Sequence, residues 1–374
     1  MKYRTNSKTG ESVSLLGFGA MRLPLNADGS IDEAEAVRMI RYAIDNGVNY
    51  VDTAYPYHNG KSEPLVGKAL KDGYREKVIL ATKLPVWAIK KREDRYTLLE
   101  TQLKRLDVPS VDNYLVHDIN EGSYNAVKKF DVMDFMREMK AADKIKNIGF
   151  SYHGSTVEFF KELIDLFDWD FVQIQLNYMD AEYQAGVAGM KYAAAKGIPV
   201  VIMEPLRGGK LVNVIPDTIR AYWDRASVKR TPAEWALAWV ANFPEVLTIL
   251  SGMSAMEQVE DNLRILSAAE QDGLTAEELA IIEQVADEYN KRIPYGCTAC
   301  RYCLPCPAKI EIPAVIEIRN EVDMYGSKAN MKFAYDNFLD PKPTVCTACK
   351  QCEEICPQHL NVSGIMAETA GMFA

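Results

Sequence analysis

Cysteine is missing from the first 296 residues of this 374-residue chain, and all eight cysteines fall in two short stretches near its end. The first part therefore has no thiols for a disulfide framework, which small secreted domains use to support a limited core. Thiols grouped at short spacing are more typical of metal binding. The sequence thus predicts a metal-binding segment behind a long domain that relies on its own hydrophobic core.

Long apolar runs and a surplus of basic residues are missing as well. No stretch approaches the roughly 18 consecutive apolar residues of a membrane-spanning helix. The first 17 residues lack the apolar run of a signal peptide. A net charge of −9 leaves no positive surplus to neutralise the phosphates of nucleic acids. We therefore expect a soluble cytoplasmic protein that binds neither nucleic acid nor membrane.

Short apolar runs alternate with segments of helical pattern over the first 270 residues. Runs rich in Val, Ile, Leu and Tyr are typical of strands that are buried on both faces. Eight strands, each followed by a helix, predict a (β/α)8 TIM barrel of the α/β class. A doubly wound sheet is the main alternative, but GFGAMR at 17–22 lacks the third glycine of a dinucleotide-binding motif. The runs are VSLLGFGA, VNYVDTA, VILATKL, VDNYLVHD, IKNIGFS, FVQIQLN, IPVVIME and VLTILSG.

The composition changes near residue 293, where a helical segment at about 275–291 ends and the first cysteine stretch begins. We therefore predict a barrel domain at 1–292 and a small α-helical domain at 293–374. Within the second domain, IPAVIEIRNEVDMYG and NVSGIMAETAGMF are predicted helices, because their apolar residues recur at helical spacing.

The two cysteine stretches have the spacing of iron–sulfur ligands. In CTACKQCEEICP, two residues lie between the first and second cysteines and two between the second and third. The fourth cysteine follows after three residues and precedes a proline. Bacterial ferredoxins that hold 4Fe-4S clusters have this spacing. The first stretch, CTACRYCLPCP, is one residue shorter before its last cysteine. By analogy with ferredoxins, each cluster takes three cysteines from one stretch and its fourth from the other. The predicted sets are Cys297, Cys300, Cys303 and Cys356 for one cluster, and Cys346, Cys349, Cys352 and Cys306 for the other.

Two structural zinc sites with four thiolates each are the competing interpretation. Such sites usually pair two CxxC motifs across a longer loop. Here three closely spaced cysteines precede a Cys-Pro pair, and this pattern occurs twice. The sequence therefore favours a ferredoxin-like domain with two 4Fe-4S clusters.

Polar residues stand where several predicted strands end, and TIM barrels build their active sites at the C-terminal ends of their strands. Asp52 ends VNYVD, Lys83 ends VILATK and His117 ends DNYLVH. Tyr57 follows five residues after Asp52. Each of these residues has a structural explanation when it is taken alone, such as a helix cap or a buried histidine. Their joint occurrence at one rim indicates a catalytic group.

The motifs VDTAYPY, ATK and YLVHD resemble those of the aldo-keto reductases, in the same order along the chain. The resemblance covers about residues 13–265, and the C-terminal segment is similar to the ferredoxin-type domain of one branch of that superfamily. It implies a (β/α)8 barrel and reduction of a small carbonyl substrate by hydride from NADH or NADPH. The catalytic residues that it implies are Asp52, Tyr57, Lys83 and His117.

The resemblance also assigns a role to each catalytic residue. Tyr57 donates a proton to the carbonyl oxygen, although a free phenol with a pKa near 10 is a weak acid. Lys83, held by Asp52, stabilises the phenolate and so assists the proton transfer. His117 orients the carbonyl group.

Positions for the nicotinamide follow from the same resemblance. Ser151 and Gln173 match the residues that bind the carboxamide group. Met203 occupies the position of the aromatic residue that stacks on the nicotinamide ring, and methionine is polarizable enough to lie on a ring. Tyr152 stands where the family usually has asparagine.

The phosphate and adenosine ends of the cofactor are matched by two later segments. Gly208, Gly209 and Lys210 suit a loop whose backbone approaches a pyrophosphate. Gly252 and Gln258 stand where NADP-preferring members carry lysine and arginine, so the usual basic pair for a 2′-phosphate is missing. The residues implied for this end are Gly208, Gly209, Lys210, Gln258, Asp261 and Asn262.

Three hypotheses join the two domains, because a cluster passes single electrons whereas hydride carries two. In the first, a nicotinamide-dependent carbonyl reductase exchanges electrons through its clusters with a redox partner protein or a bound flavin. In the second, the chain is an electron-transfer or docking module whose barrel has lost carbonyl reductase activity; a flavin-dependent reductase fed by the clusters is a separate alternative. In the third, the clusters only brace the substrate pocket. The four-residue catalytic group favours an enzyme.

Overall fold

The computed structural model describes residues 1–297 and 300–374 of the chain. Their contacts divide them into two compact units. The first unit comprises Met1–Pro205 and Glu234–Thr275, and the second comprises Leu206–Ala233 and Ala276–Ala374. These bounds differ from the predicted boundary after residue 292, because the segment 206–233 and the helix before the cysteines belong to the second unit. A separate ferredoxin-like domain at 293–374 stays a prediction.

Eight parallel strands of the described chain close into a barrel in the first unit, each beside the next one along the chain, and the last pairs with the first. The eight apolar runs are confirmed as these strands. A short antiparallel pair of strands precedes them. The strands are β1 (Tyr3–Thr5), β2 (Ser12–Ser14), β3 (Leu16–Gly19), β4 (Tyr50–Asp52), β5 (Ile79–Pro85), β6 (Val111–Ile119), β7 (Ile145–Tyr152), β8 (Phe171–Gln175), β9 (Val200–Met203) and β10 (Val246–Gly252).

The register of neighbouring strands brings their C-terminal ends to one rim of the barrel. Asp52 pairs with Ala81 of β5, two residues before Lys83. Lys83 in turn pairs with Leu115 of β6, two residues before His117. Because side chains alternate between the faces of a strand, a step of two residues keeps these side chains on the same face. Asp52, Lys83 and His117 therefore all face the same side of the barrel wall.

Helices follow the barrel strands, as the alternating pattern predicts. In the first of them, Asp32 caps the helix by accepting a 3.0 Å hydrogen bond from the Glu35 N–H, and the apolar residues Met39 and Ile40 are buried. The helices up to the end of the barrel are α1 (Glu33–Asp45), α2 (Ser62–Ala69), α3 (Asp94–Leu106), α4 (Tyr124–Lys129), α5 (Val132–Ala141), α6 (Val157–Leu166), α7 (Gly186–Ala195), α8 (Asp217–Trp223), α9 (Pro232–Ala241) and α10 (Met256–Ala268).

The second unit is helical and contains all eight cysteines. Its core joins residues of three helices, such as Ile316, Tyr335 and Met366, and several cysteines pack against it. The helices predicted on either side of the second cysteine stretch are confirmed as Ile312–Tyr325 and Val362–Met372. Across the described residues, no helix combines the length and apolar character that crossing a membrane requires. Besides α8, the helices are α11 (Ala276–Lys291), α12 (Ile312–Tyr325), α13 (Lys328–Phe338), α14 (Gln351–Glu354) and α15 (Val362–Met372).

Candidate active site

A buried ion pair forms the centre of the predicted catalytic group. The Nζ atom of Lys83 lies 2.6 Å from Oδ1 of Asp52, and both side chains are almost fully removed from solvent. The same ammonium donates a hydrogen bond of 2.9 Å to the backbone carbonyl of Thr53. Two acceptors on adjacent residues of one strand end thus fix the direction in which the lysine side chain points.

Tyr57 lies within reach of this ammonium. It is the first residue of a 3-10 turn, Tyr57–Gly60, which follows β4. Its hydroxyl oxygen is 3.5 Å from Nζ of Lys83, which donates to it, and the ammonium lies 5.0 Å from the centre of the phenol ring. The structure therefore brings together the acid, the cation and the carboxylate that the sequence predicted.

Burial controls the ionisation of this group. Burial raises the pKa of Tyr57 above its ordinary value, Lys83 opposes the rise, and the nearby carboxylates of Asp52 and Glu204 add to it. Burial alone would lower the pKa of Lys83, but Asp52 and Tyr57 outweigh it and raise that pKa. Tyr57 is therefore a neutral phenol beside a permanent cation, and it retains its proton at neutral pH.

His117 in β6 completes the group as a neutral imidazole. Its ring centre lies 6.2 Å from that of Tyr57 in an edge-on arrangement and 5.0 Å from that of Trp87, which is half exposed. Burial, assisted by the charges of Lys83 and His153, lowers the pKa of His117 well below 6.5. A neutral imidazole carries one N–H donor, so His117 can donate a hydrogen bond to a carbonyl oxygen.

The residues predicted to bind the nicotinamide carboxamide lie on adjacent strands. Ser151 of β7 and Gln173 of β8 pair in register. The Ser151 hydroxyl oxygen accepts a 2.9 Å hydrogen bond from the Asp118 N–H. Gln173 donates a 3.4 Å hydrogen bond from Nε2 to the sulfur of Met203. Its buried Oε1 has no hydrogen-bond partner in the described part of the chain. An amide ligand fits this pair, because it can donate to Gln173 and accept from the Ser151 hydroxyl.

Tyr152 plays a different part from the asparagine that the family usually has at this position. It is fully buried, and its hydroxyl donates to the Thr156 carbonyl. Its ring packs 5.1 Å from that of Phe160. This position therefore belongs to the packing between strand and helix.

Gly252 at the end of β10 and Gln258 in α10 stand where the family resemblance predicts the basic pair of NADP-preferring members. Gly252 is exposed, and a Cβ atom added there would lie 3.3 Å from Cβ of Arg22. Gln258 accepts a 2.8 Å hydrogen bond from the Ser254 N–H through its Oε1 atom. The side chain of Gln258 is thus used to fix the start of α10.

Asp261 and Asn262, predicted to contact adenine, each have a partner inside the first unit. Asp261 accepts a 2.6 Å hydrogen bond from Arg264, whose guanidinium also pairs with Glu234 at 2.7 Å. Asn262 is buried and donates to the Ser251 hydroxyl at 2.9 Å. The Arg264 charge is therefore engaged by two carboxylates.

Gly208, Gly209 and Lys210 lie in the second unit. Gly208 and Gly209 have φ angles of 66° and 92°, in the left-handed region that favours glycine. Lys210 follows directly, and its Nζ atom lies 2.6 Å from Oε2 of Glu321. The predicted pyrophosphate loop is thus a tight glycine turn whose cation is already paired.

Two cavities of the second unit are each lined by four cysteines. Ile312 and Val362 line both cavities and so lie between them. The grouping is the one expected by analogy with ferredoxins, although metal ligation itself stays a prediction. Within 1–297 and 300–374, no three His, Cys, Asp or Glu side chains form a ready site for a single metal ion. The sets are Cys297, Cys300, Cys303 and Cys356 in one cavity, and Cys306, Cys346, Cys349 and Cys352 in the other.

Three residues near these sites were not predicted from the sequence: Thr53, Arg22 and Glu204. The Thr53 carbonyl that holds Lys83 is a backbone group, so no residue type signals it. Arg22 ends the GFGAMR segment, and its position just after a strand was the available signal. Glu204 follows Met203 at the end of β9 with a φ angle of 57°, which a sequence pattern does not reveal for a residue other than glycine.

Comparison with known proteins agrees with this geometry. The sequence profile of the Aldo/keto reductase family matches residues 15–287. The chain belongs to this family. As an aldo/keto reductase, it is an oxidoreductase of the NAD(P)H-dependent type, and the matched region ends before the first cysteine.

Individual relatives match most of the chain. L-galactose dehydrogenase of Arabidopsis thaliana is 27% identical over 317 residues, which span 77% of this chain and 95% of that protein. The NADH-specific methylglyoxal reductase of Escherichia coli K12 is 26% identical over 287 residues, or 64% of this chain and 85% of that protein. An aldo-keto reductase of Bacillus halodurans in its holo form has a TM-score of 0.64 at 26% identity, covering 76% of this chain and 96% of that chain.

Proposed function

We propose that this aldo/keto reductase reduces an aldehyde or ketone to the alcohol with NADH or NADPH. The supporting observation is the contact of 3.5 Å between the Tyr57 hydroxyl and the Lys83 ammonium, which itself lies 2.6 Å from Asp52. Such an arrangement supplies a positioned acid and stabilises the anion that remains after proton transfer. A structural role for this ion pair alone does not explain why a phenol hydroxyl lies beside it and a neutral imidazole lies next to that phenol.

The chain supplies the proton of the reaction. A bound nicotinamide would supply the hydride, which forms a new C–H bond at the carbonyl carbon. Tyr57 donates its phenolic proton to the oxygen as the C=O π bond breaks. Lys83 then stabilises the phenolate, and Asp52 keeps Lys83 in place. The N–H of His117 holds the carbonyl oxygen toward Tyr57.

The residues proposed to hold the cofactor are those that the family resemblance implies. Ser151 and Gln173 would bind the carboxamide, and the sulfur of Met203 would lie against the nicotinamide ring. The unpartnered Oε1 of Gln173 supports this role. The glycine turn with Lys210 would contact the pyrophosphate. Gln258, Asp261 and Asn262 would lie at the adenosine end.

The cysteines would hold two 4Fe-4S clusters, which accept and donate single electrons. Support comes from the two cavities, each lined by three cysteines of one stretch and the fourth of the other. Thiols in cluster spacing belong to reducing compartments, so the proposal includes a cytoplasmic location. Exchange of electrons with a redox partner protein or with a bound flavin stays a prediction.

One anaerobic experiment tests both parts. The purified chain is analysed for iron, sulfide, zinc and flavin, and NADH and NADPH are then added with and without a panel of aldehydes and ketones. We expect about eight iron and eight sulfide per chain, and oxidation of the nicotinamide that depends on a carbonyl compound. Stoichiometric zinc without sulfide would contradict the clusters. Reduction of the clusters by NADH, with no carbonyl compound consumed, would instead favour an electron-transfer module.

A further inference from the structure

The carboxylate of Glu321 is buried between the two cations that flank the glycine turn. Glu321 belongs to α12 and is 5% exposed. Its Oε2 atom lies 2.6 Å from Nζ of Lys210, and its Oε1 atom lies 3.7 Å from the Arg207 guanidinium. All of these residues belong to the second unit. The turn is therefore tied to α12 by an ion pair that spans more than 100 residues of sequence.

The last turn of α12 holds the same loop by further contacts. Arg207 donates to the Tyr325 hydroxyl and lies 3.4 Å from the sulfur of Met324. The first residue of the helix, Ile312, lines both cysteine cavities. Nine residues at 1.5 Å per residue place Ile312 about 13 Å from Glu321 along the helix axis. One helix thus contacts the cysteine cavities at one end and the glycine turn at the other.

The charges of this group predict competition for Lys210. One carboxylate faces two cations, and because it is buried it cannot turn away into solvent. A pyrophosphate that approaches Lys210 must share the ammonium with Glu321 and also experiences the negative charge of Glu321. Burial strengthens this effect, since a buried charge is screened less by water and salt.

We propose that Glu321 weakens binding of the nicotinamide cofactor by competing with its pyrophosphate for Lys210. The inference rests on the role that the proposed function gives to Lys210. It makes α12, whose first turn lies at the cysteine cavities, a determinant of cofactor affinity. Since NADH and NADPH share the pyrophosphate, both affinities are affected equally.

The test measures dissociation constants of NADH and NADPH for the full chain, prepared anaerobically with matched iron content. In Glu321→Gln the shape and a hydrogen-bonding group remain while the charge is lost, so both constants should fall by roughly fivefold or more. Asp323→Asn is the control, because Asp323 lies on the same helix and pairs with Arg319. It should leave both constants unchanged. Glu321→Asp, which retracts the charge by one methylene, should act in the same direction by a smaller factor and serves if the glutamine variant fails to fold.

Lys210→Gln separates this inference from the proposed function. If Lys210→Gln weakens cofactor binding, and adding Glu321→Gln to that variant has no further effect, the result supports both the contact of Lys210 with the cofactor and the competition by Glu321. Weaker binding in Lys210→Gln together with unchanged or weaker binding in Glu321→Gln overturns the competition alone. If Lys210→Gln leaves both constants unchanged, Lys210 does not contact the cofactor, and the competition is overturned with it.

Discussion

The ammonium of Lys83 lies 3.5 Å from the hydroxyl of Tyr57, yet the pKa of that hydroxyl is raised above its ordinary value rather than lowered. Burial favours the neutral phenol more strongly than the cation favours the phenolate. The proton therefore stays on Tyr57 until a substrate oxygen accepts it. The cation acts mainly afterwards, when the buried phenolate needs a positive neighbour.

Tyr57→Phe tests the proton donor. The substitution removes one oxygen and leaves no large cavity, so the turnover number for carbonyl reduction should fall by at least ~10²-fold. The dissociation constant of NADH should stay as in the wild type, because the hydroxyl contributes to chemistry and not to cofactor binding. Stopped-flow single turnovers and equilibrium titrations measure the two quantities separately.

Tyr55→Phe is the matched control for this experiment. Tyr55 lies two residues earlier, and its ring packs 4.3 Å from the Arg105 guanidinium. Its hydroxyl has no part in the proposed chemistry, so Tyr55→Phe should retain wild-type turnover. An equal loss in both variants would mean that the effect is structural, and full activity of Tyr57→Phe would place the chemistry elsewhere.

The ionisation of the site predicts a flat pH profile. Tyr57 donates in its protonated form, and its raised pKa means that this form is lost only in strongly alkaline solution. His117 is neutral above its lowered pKa, so it gains a proton only in acid. At saturating NADH, the turnover number should therefore vary little between about pH 6.5 and pH 9. A rate that falls with a midpoint inside this window would show that one of these groups titrates there.

The barrel and the common placement of the strand-end polar residues could both be predicted from the sequence, for the same physical reason. Parallel strands buried on both faces give continuous apolar runs, and the register of a closed parallel barrel brings their last residues to one rim. The strand pattern therefore predicts that Asp52, Lys83 and His117 lie at one rim, while their catalytic roles come from the family resemblance and stay a prediction. Tyr57 lies in a turn five residues after Asp52, and the family resemblance adds only its role as the proton donor.

Contacts between distant segments were beyond the sequence analysis. Nothing near Lys210 indicates that its partner is Glu321, because an ion pair needs no pattern in the intervening chain. The sequence also did not indicate that the segment 206–233 belongs to the second unit, because this segment contains no cysteine and no change of composition. The packing of Arg22 over Gly252 likewise depends on two strand ends that are neighbours only in the closed barrel.

Cofactor preference follows from the end of β10. Gly252 offers no side chain, Gln258 is bound to the Ser254 N–H, and Arg264 is engaged by carboxylates. NADPH should thus show less than a tenfold advantage over NADH in kcat/KM, which corresponds to less than ~1.4 kcal/mol. Gly252→Lys should raise the preference for NADPH, because it restores one cation for the 2′-phosphate.

Arg22 provides the control for this prediction. Its side chain lies beside Gly252, so it is the cation to remove if the wild type prefers NADPH strongly. In that case the prediction is wrong, and Arg22→Gln should abolish the preference. With no preference in the wild type, Arg22→Gln should change the two kcat/KM values in parallel.

Each cavity is lined by three cysteines of one stretch and the fourth of the other, and this crossed grouping predicts which cysteine variants resemble one another. Cys306 belongs to the first stretch, but it lines the cavity of Cys346, Cys349 and Cys352. Cys306→Ser should therefore perturb the same cluster as Cys346→Ser and leave about four iron atoms in an intact second cluster. Electron paramagnetic resonance of the reduced variants identifies the remaining cluster.

The comparison that decides the grouping is between neighbours in sequence. Cys303 lies three residues before Cys306 but lines the other cavity, together with Cys356. Cys303→Ser and Cys356→Ser should thus share one spectrum, and Cys306→Ser and Cys346→Ser should share the other. Since serine replaces a single ligand at each position, the four variants differ only in which cavity loses a thiolate. Identical spectra for Cys303→Ser and Cys306→Ser would show that each stretch binds its own cluster, and the crossed grouping would then be wrong.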